Sequence, residues 1–389
     1  MWESKYLEEI CEIKGGKRLP AGHVLTTIPT KHLYMRAQDI NGGKITFTQK
    51  QYISDETYEK IKRYTVKEGD IVLTIAGKIG DTGYISFELS GANLTENAVK
   101  LIAKKDIVHP KYLHYSLSIN HMKSYFEQVA AGAAQPKLGL YKIKKAKIPL
   151  PPLPTQKKIA GILSAYDGLI ENNLRRIKLL EEMAQITYEE WFVRLRFPDH
   201  TTTPINKATS LPEGWKIVKL REVLKLNYGK ALKADTRIQG SIPVYGSSGI
   251  VGMHKFALVD EMGIIVGRKG NVGSVFWSHG SFYPIDTVYF VTSLHELHFL
   301  YYALKNSKFD NSDAAVPGLN RDAAYAVEIT LPPKNIEKQF ADLVEQNFLT
   351  IQLFEEQNQR LREARNILLP RLMTGVIDAE KYQPENFLK

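Results

Sequence analysis

Two stretches of the chain carry mostly apolar residues at alternating steps of four and three. In the first, Ile159, Leu163, Tyr166, Ile170, Asn173, Ile177, Leu180, Ala184, Thr187 and Trp191 follow that rhythm. In the second, Phe340, Val344, Asn347, Ile351, Phe354, Asn358, Leu361, Arg365, Leu368 and Leu372 do the same, each 181 positions further on. Alternating four-three spacing puts every member on one seam of an α-helix, the a/d stripe of a coiled coil. Two such seams in one phase predict a pair of long helices, about 57 Å for residues 155–192 and about 52 Å for 335–369. Prolines bound both: Pro151, Pro152 and Pro154 precede the first and Pro198 follows it, while Pro332 and Pro333 precede the second and Pro370 marks its end or a kink;. Asn173, Asn347 and Asn358 sit on the seam, where an amide costs stability but fixes register.

Elsewhere the apolar positions form short runs closed by glycine, the pattern of strands and turns. These runs also recur. "WESKYLEEICEIKGGK" at 2–17 is echoed at 215–230 by "WKIVKLREVLKLNYGK", an offset of 213. "DIVLTIAGKIG" at 70–80 is echoed at 263–273 by "GIIVGRKGNVG", an offset of 193. Each reads as a short buried strand running into a glycine-rich loop. The hinge "LPPLPTQKKIA" at 150–160 returns at 331–341 as "LPPKNIEKQFA", offset 181. Shifting offsets mean one scaffold used twice with different insertions.

The predicted order is a globule at 1–150, a long helix at 151–192, a linker at 193–214, a second globule at 215–330, a second long helix at 331–375 and a tail at 376–389. The expected fold class is α+β: two mixed α/β globules separated by a long antiparallel two-helix coiled coil, with a pseudo-twofold internal repeat. Antiparallel pairing with the globules at opposite ends follows from repeat symmetry; a parallel pair is also within reach of the linker.

With 389 residues, 43% apolar and 24% charged, the chain has room for two or three soluble domains;. No run approaches the roughly eighteen apolar residues of a membrane span, and the opening "MWESKYLEEI" lacks the order of a secretory signal. One cysteine, Cys11, allows no internal disulfide and suits a reducing, cytoplasmic setting;. A net charge of +10 suits a polyanionic partner as well as a generic basic enzyme;.

The glycine-rich loops place Lys78 in one half and Arg268 and Lys269 in the other among glycines, which lets backbone N–H groups and a cation converge on a phosphate. A plain turn with a solvated cation is the simpler reading of either loop alone; recurrence favours the phosphate. Other polar loops supply groups able to bridge base edges in a major groove. The candidate DNA contacts of the first globule are Arg36, Gln38, Asn41, Lys44, Lys78, Thr95, Asn97, Gln135 and Lys137. Those of the second are Tyr245, Ser247, Ser248, Arg268, Lys269, Asn271, Asp286, Asn320 and Arg321. His109 with His114, and His295 with His298, lack a third metal ligand at useful spacing and read as surface histidines. No nuclease carboxylate set, flipped-base loop or dinucleotide fingerprint is found. The readings carried forward are a DNA-binding subunit without an active site, a self-contained methyltransferase or nuclease with unfamiliar motifs, and a coiled-coil adaptor that binds only protein.

Over almost its whole length the chain resembles the specificity subunits of type I restriction-modification systems. The resemblance rests on "IPLPPLPTQKKIAGIL" and "ITLPPKNIEKQFADLV", on the helices running to "WFVRLRFP" and "LLPRLMTGVI", and on "KEGDIVLTIAGKIGDTGYI" and "IPVYGSSGIVGMHK". The last two look like different varieties of target-recognition domain. Glu337 stands where the first hinge has Gln156 and the family usually has glutamine, which questions a local contact. The resemblance implies that each globule reads one half of an asymmetric split target in double-stranded DNA. It implies that the helices space the readers and dock two methyltransferase subunits, with a restriction-translocase subunit joining further out. It places S-adenosylmethionine and ATP with magnesium in those partners, no cofactor or metal in this chain, and the complex in a prokaryotic cytoplasm.

Overall fold

Each hinge begins in a strand. Lys147–Pro149 pairs antiparallel with Ser4–Tyr6, and Glu328–Leu331 pairs antiparallel with Lys216–Lys219. Ile148 and Ile329 turn inward from these ribbons and are buried. The prolines that follow have no N–H to extend the pairing, and the chain turns into the long helices Leu153–Tyr188 and Lys334–Met373. A π turn, Glu189–Val193, continues the first. The computed structural model describes residues 2–132, 136–309 and 318–382. It divides into two compact units, one built from positions up to 170 together with those from 359 onward, the other from 171–358.

In the first unit a four-stranded antiparallel sheet runs in the order Cys11–Gly15, Ala98–Ala103, Ile71–Thr74, Thr82–Tyr84. Ile71, Val72 and Leu73 are all buried, so both faces of that strand are covered and its sequence is a continuous apolar run;. A smaller sheet sets His32–Met35 between Gln51–Ile53 and Asn93–Leu94. The core joins Leu101, Tyr112 and Phe126 to Ile159 and Leu163 of one long helix and Leu368 and Leu372 of the other. Ala379 and Tyr382, in the segment expected to be a tail, are buried in the same core, and the hydroxyls of Tyr382 and Tyr166 lie 2.9 Å apart.

The second unit repeats the arrangement. Its sheet runs Lys225–Tyr228, Val288–Thr292, Gly263–Gly267, Val275–Ser278, and a smaller sheet sets Ile242–Gly246 between Gly249–His254 and Tyr283–Pro284. The core gathers Phe299, Tyr302 and Leu304 with Ala184 and Tyr188, and with Phe340 and Val344. Phe197, in the segment expected to be a linker, lies with its ring 4.8 Å from that of Trp215, tilted by 38°, and is buried with it.

Two glycines mark where the repeat is tightest. Gly16 donates its N–H to Ala98, and Gly229 donates to Val288. A Cβ at Gly16 would lie 2.0 Å from the Thr95 carbonyl oxygen, and one at Gly229 would lie 2.1 Å from that of Ile285. Both obstacles are backbone, so neither can swing aside. Gly229→Ala is expected to destabilise the second unit, and Gly16→Ala the first, each by about 2–4 kcal/mol, the range of overpacking and strain defects. Urea denaturation of each variant checks this.

Within each unit the helices run antiparallel. In the second, Asn173 Nδ2 donates to Asn358 Oδ1 at 3.2 Å, Ile177 and Leu180 pack on Ile351 and Phe354, and Tyr188 meets Phe340. In the first, Arg365 Nη1 donates to Asp167 Oδ1 at 2.5 Å, while Tyr115 donates to Asp167 Oδ2 at 2.6 Å. That carboxylate ties both helices to the globule. The seam residues Ile159, Leu163, Ile170, Asn173, Ile177, Phe340, Val344, Ile351, Phe354 and Asn358 are buried, and Leu180, Asn347 and Leu361 are half-buried. The fold is thus two mixed α/β globules and a long antiparallel helix pair, built as an internal repeat.

One expectation about histidines is corrected. His114 is not at the surface: it is buried, with the Tyr84 ring 5.9 Å away edge-on and the Tyr115 ring at 5.3 Å. His109, His295 and His298 are half-buried. Burial pushes the His114 imidazole down to about 4, helped by Lys111 and Arg365 and opposed by Asp167. The unfolded chain therefore takes up a proton, between pH 6.5 and 4, that the fold refuses;. Stability of the first unit is expected to fall by about 3 kcal/mol as pH drops through that window, at about 1.4 kcal/mol per pKa unit. His114→Phe should flatten this slope in thermal unfolding recorded from pH 7 to pH 4.

Candidate nucleic-acid interface

The two glycine-rich loops have one hydrogen-bond plan. In the first, Ile79 N–H donates to Gly77 O, Gly80 N–H to Thr74 O, and Thr74 N–H to Asp81 O. In the second, Val272 N–H donates to Gly270 O, Gly273 N–H to Gly267 O, and Gly267 N–H to Ser274 O. Glycines hold the turns because φ is positive at Gly77 (75°), Gly80 (87°), Gly270 (81°) and Gly273 (74°);. The N–H groups of Ile79, Gly80, Val272 and Gly273 are thus engaged inside the loops. The Lys78 and Lys269 ammonium groups are exposed and, among the described residues, have no hydrogen-bond or ion-pair partner.

Three further hydrogen bonds gather the candidate loops to one corner of each unit. In the first, Thr95 N–H donates to Met35 O, Ile75 N–H to Asn97 O, and Leu138 N–H to Ile75 O. In the second, Ile285 N–H donates to Tyr245 O, Arg268 N–H to Thr287 O, and Leu319 N–H to Arg268 O. The corner thus brings together the segments carrying Arg36, Lys78, Asn97 and Lys137 in one unit, and Ser247, Ser248, Lys269, Asp286 and Arg321 in the other.

Not every candidate is presented there. Arg36 is committed inward: it meets the buried Asp39 carboxylate through Nη2 (3.0 Å) and Nε (3.3 Å), and Nη2 also donates to Gln49 O. The Gln38 amide turns its oxygen to the same guanidinium. Thr95 is buried and donates to Glu96, and Tyr245 is a core residue whose hydroxyl donates to Trp277 O. Asn320 caps the helix Arg321–Ala326, accepting from Asp322 N–H at 2.8 Å. Asn271 donates to the Ser248 hydroxyl at 3.1 Å, holding two candidate loops together. Asn41 and Lys44 flank a two-glycine hairpin turn, Gly42 at φ 56° and Gly43 at φ 80°, and stand exposed;. Gln135 lies outside the described residues. Tyr228, an exposed aromatic in "LNYGK", joins the second corner; its place beside the Gly-Lys pair repeated from the first half was the available signal.

The family model of the type I restriction modification DNA specificity domain matches residues 1–182 and again 212–363. The chain belongs to that family. The MjaIX specificity subunit of Methanocaldococcus jannaschii, a type I restriction enzyme subunit, is 24% identical over 98% of this chain and 94% of its own. The EcoBI specificity subunit of Escherichia coli is 30% identical over 38% of this chain and 32% of its own. The crystal structure of a type I restriction-modification S subunit from M. genitalium superposes with a TM-score of 0.60 at 17% identity, covering 96% of each chain, a likeness of fold.

For a type I specificity chain the Glu337 departure has a local answer. Gln156 is buried at the first hinge, where its oxygen accepts from His109 N–H (2.8 Å) and its amide donates to Pro151 O (2.8 Å) and Ile107 O (3.2 Å). Glu337 is buried at the second, has no donor, and faces the His295 ring instead, with Nδ1 at 2.9 Å, while accepting from Glu296 N–H at 3.4 Å. A carboxylate accepts only, so the imidazole supplies the proton.

The long helices also carry exposed apolar residues off the seam. Leu179, Met183, Ile186, Leu343 and Leu353 do so in the second unit, and Leu169 and Ile367 in the first. By heptad position these fall at c and g, one flank of an antiparallel pair, while the exposed Leu174 and Leu349 lie at e and f;. Ile186 and Ile367 are equivalents at the offset of 181. No helix among the described residues is long and apolar enough to cross a membrane, and no group of three or more His, Cys, Asp or Glu there is placed to hold a metal ion.

Proposed function

We propose that this chain is the sequence-reading subunit of a type I restriction-modification complex. Each globule reads one half of a split target in double-stranded DNA through its corner of converging loops. The observation that carries the reading is the repeat itself: one hydrogen-bond plan, used twice, presents unlike residues at equivalent positions. Unlike readers imply unlike half-sites and an asymmetric target. The paired helices serve as the spacer between the two reads.

The exposed leucines, isoleucines and methionine flanking the helix seam support docking of two methyltransferase subunits, one on each unit, since lone apolar side chains are ordinary but a flank of them marks a contact. Methyl transfer from S-adenosylmethionine resides in those subunits, and ATP-driven cleavage in a restriction-translocase subunit, while this chain supplies the address. The DNA-facing groups proposed are Lys78, Asn97 and Lys137 with Asn41 and Lys44 in the first globule, and Ser247, Ser248, Lys269, Asp286, Arg268 and Arg321 in the second.

Modification-sensitive sequencing of DNA exposed to this chain with its methyltransferase partner tests the reading. The expected product is methylation at one bipartite, non-palindromic sequence. Exchanging residues 1–150 for those of another family member should change one half-site and leave the other. The chain alone, incubated with DNA and labelled methyl donor, should transfer nothing; transfer by the isolated chain would reverse the assignment of chemistry.

A further inference from the structure

Tyr228 stands at the second corner, half exposed (48%). Two guanidiniums lie against its ring: Arg268 Cζ is 5.0 Å from the centroid and Arg321 Cζ is 5.1 Å from it. Arg268 is held further by the ring of Tyr289, at 5.8 Å, and by donation from Nη1 to the Asp286 carbonyl at 2.9 Å. Tyr289 is itself fixed, its hydroxyl donating to Leu319 O at 3.0 Å. Among the described residues neither guanidinium has an ion-pair partner. Two like charges are therefore gathered at one ring with no counter-ion among the described residues.

That arrangement has a chemical direction. A guanidinium stacked on a ring keeps its N–H edge free for hydrogen bonding, and its charge is not shed at any working pH. Holding the fork in place beforehand lowers the rotamer freedom lost when it binds. The ligand suited to two adjacent, fixed, unneutralised forks is a polyanion with oxygens at its edge.

Among the described residues of the first globule, rings such as Tyr64 and Tyr84 carry one lysine each and none carries two cations. The strand register that sets Tyr228 opposite Tyr289 sets Gly15 opposite Val99. The hydrogen bond from Leu319 to Arg268 corresponds to that from Leu138 to Ile75, which places Leu140 at the position of Arg321. Gly15, Ile75 and Leu140 carry no charge.

We propose that Arg268 and Arg321, positioned by Tyr228, form a phosphate clamp on the DNA backbone that belongs to the second globule alone. It supplies sequence-independent grip to that half of the target, and base reading is left to its neighbours. The clamp rests on the DNA-recognition reading above.

The test uses the full chain reconstituted with its methyltransferase partner. Binding is measured across a salt series on two duplexes, one carrying the mapped target and one altered in the second half-site. If the wild-type complex binds neither duplex at any salt, the DNA reading itself fails. If it binds, Arg268→Gln and Arg321→Gln should each reduce the slope of log affinity against log salt by about 0.9. Each should weaken both duplexes by the same factor, as a phosphate contact does. Arg268→Lys should retain the slope, Tyr228→Phe should bind as wild type, and Tyr228→Leu should weaken both duplexes. A loss confined to the target duplex would make the arginines base readers, and an unchanged slope would remove them from the interface. Either result overturns the clamp.

Discussion

Inserting one heptad into each long helix is expected to widen the gap between the two half-sites by about three base pairs. Seven residues add about 10.5 Å of helix, and DNA rises about 3.4 Å per base pair. Seven is also the number that preserves the seam. The a/d phase that buries Ile177, Leu180, Ile351 and Phe354 would continue unbroken through an insertion after residue 175 in one helix and after residue 355 in the other;. Both insertions are needed, because the Asn173–Asn358 amide pair locks the two helices in one register. Lengthening only one would move that amide opposite an apolar neighbour. Methylation sites mapped for the double insertion provide the readout. An unchanged gap would mean that something other than the helix pair spaces the two reads.

Phe340→Ala is expected to cost the second unit about 3–5 kcal/mol, the range for truncating a buried phenylalanine. Phe340 is fully buried. Its ring lies 5.0 Å from that of Phe192, 5.9 Å from Trp191, and 6.0 Å from both Tyr188 and Tyr302. These rings come from both long helices and from Leu297–Asn306, so the void would open where the helices seat on the globule. Hydrogen exchange should show protection lost across 171–358 and kept in the core of the first unit. The equivalent residue there is Ile159, also fully buried, and its truncation should show the converse.

Much of this could be read along the chain because it depends on near neighbours. A helical seam is a matter of steps of three and four, and a strand ending in a glycine turn is a matter of a few consecutive residues. The repeat was legible for the same reason, down to Gly16 and Gly229, whose missing side chains admit a carbonyl at each place. The candidate site was legible only in part. Arg36 has the side chain of a guanine reader, but Asp39 and Gln49 hold it inward. Tyr245 sits in a polar, glycine-rich run, yet the sheet turns it into the core. Tyr228 is hard to single out along the chain because its importance comes from Arg268 and Arg321, forty and more positions away.

The order of elements, the long paired helices and the doubled scaffold were determined by the sequence alone, through periodicity and spacing, and its motifs carried the resemblance to type I specificity subunits. Which loop residues remain free to meet DNA was decided by the tertiary structure. The physical reason is that a side chain's availability depends on what has already claimed its hydrogen bonds and its apolar surface. Those claimants, Asp39 for Arg36, His295 for Glu337 and the Tyr228 ring for two arginines, are brought close only by the fold.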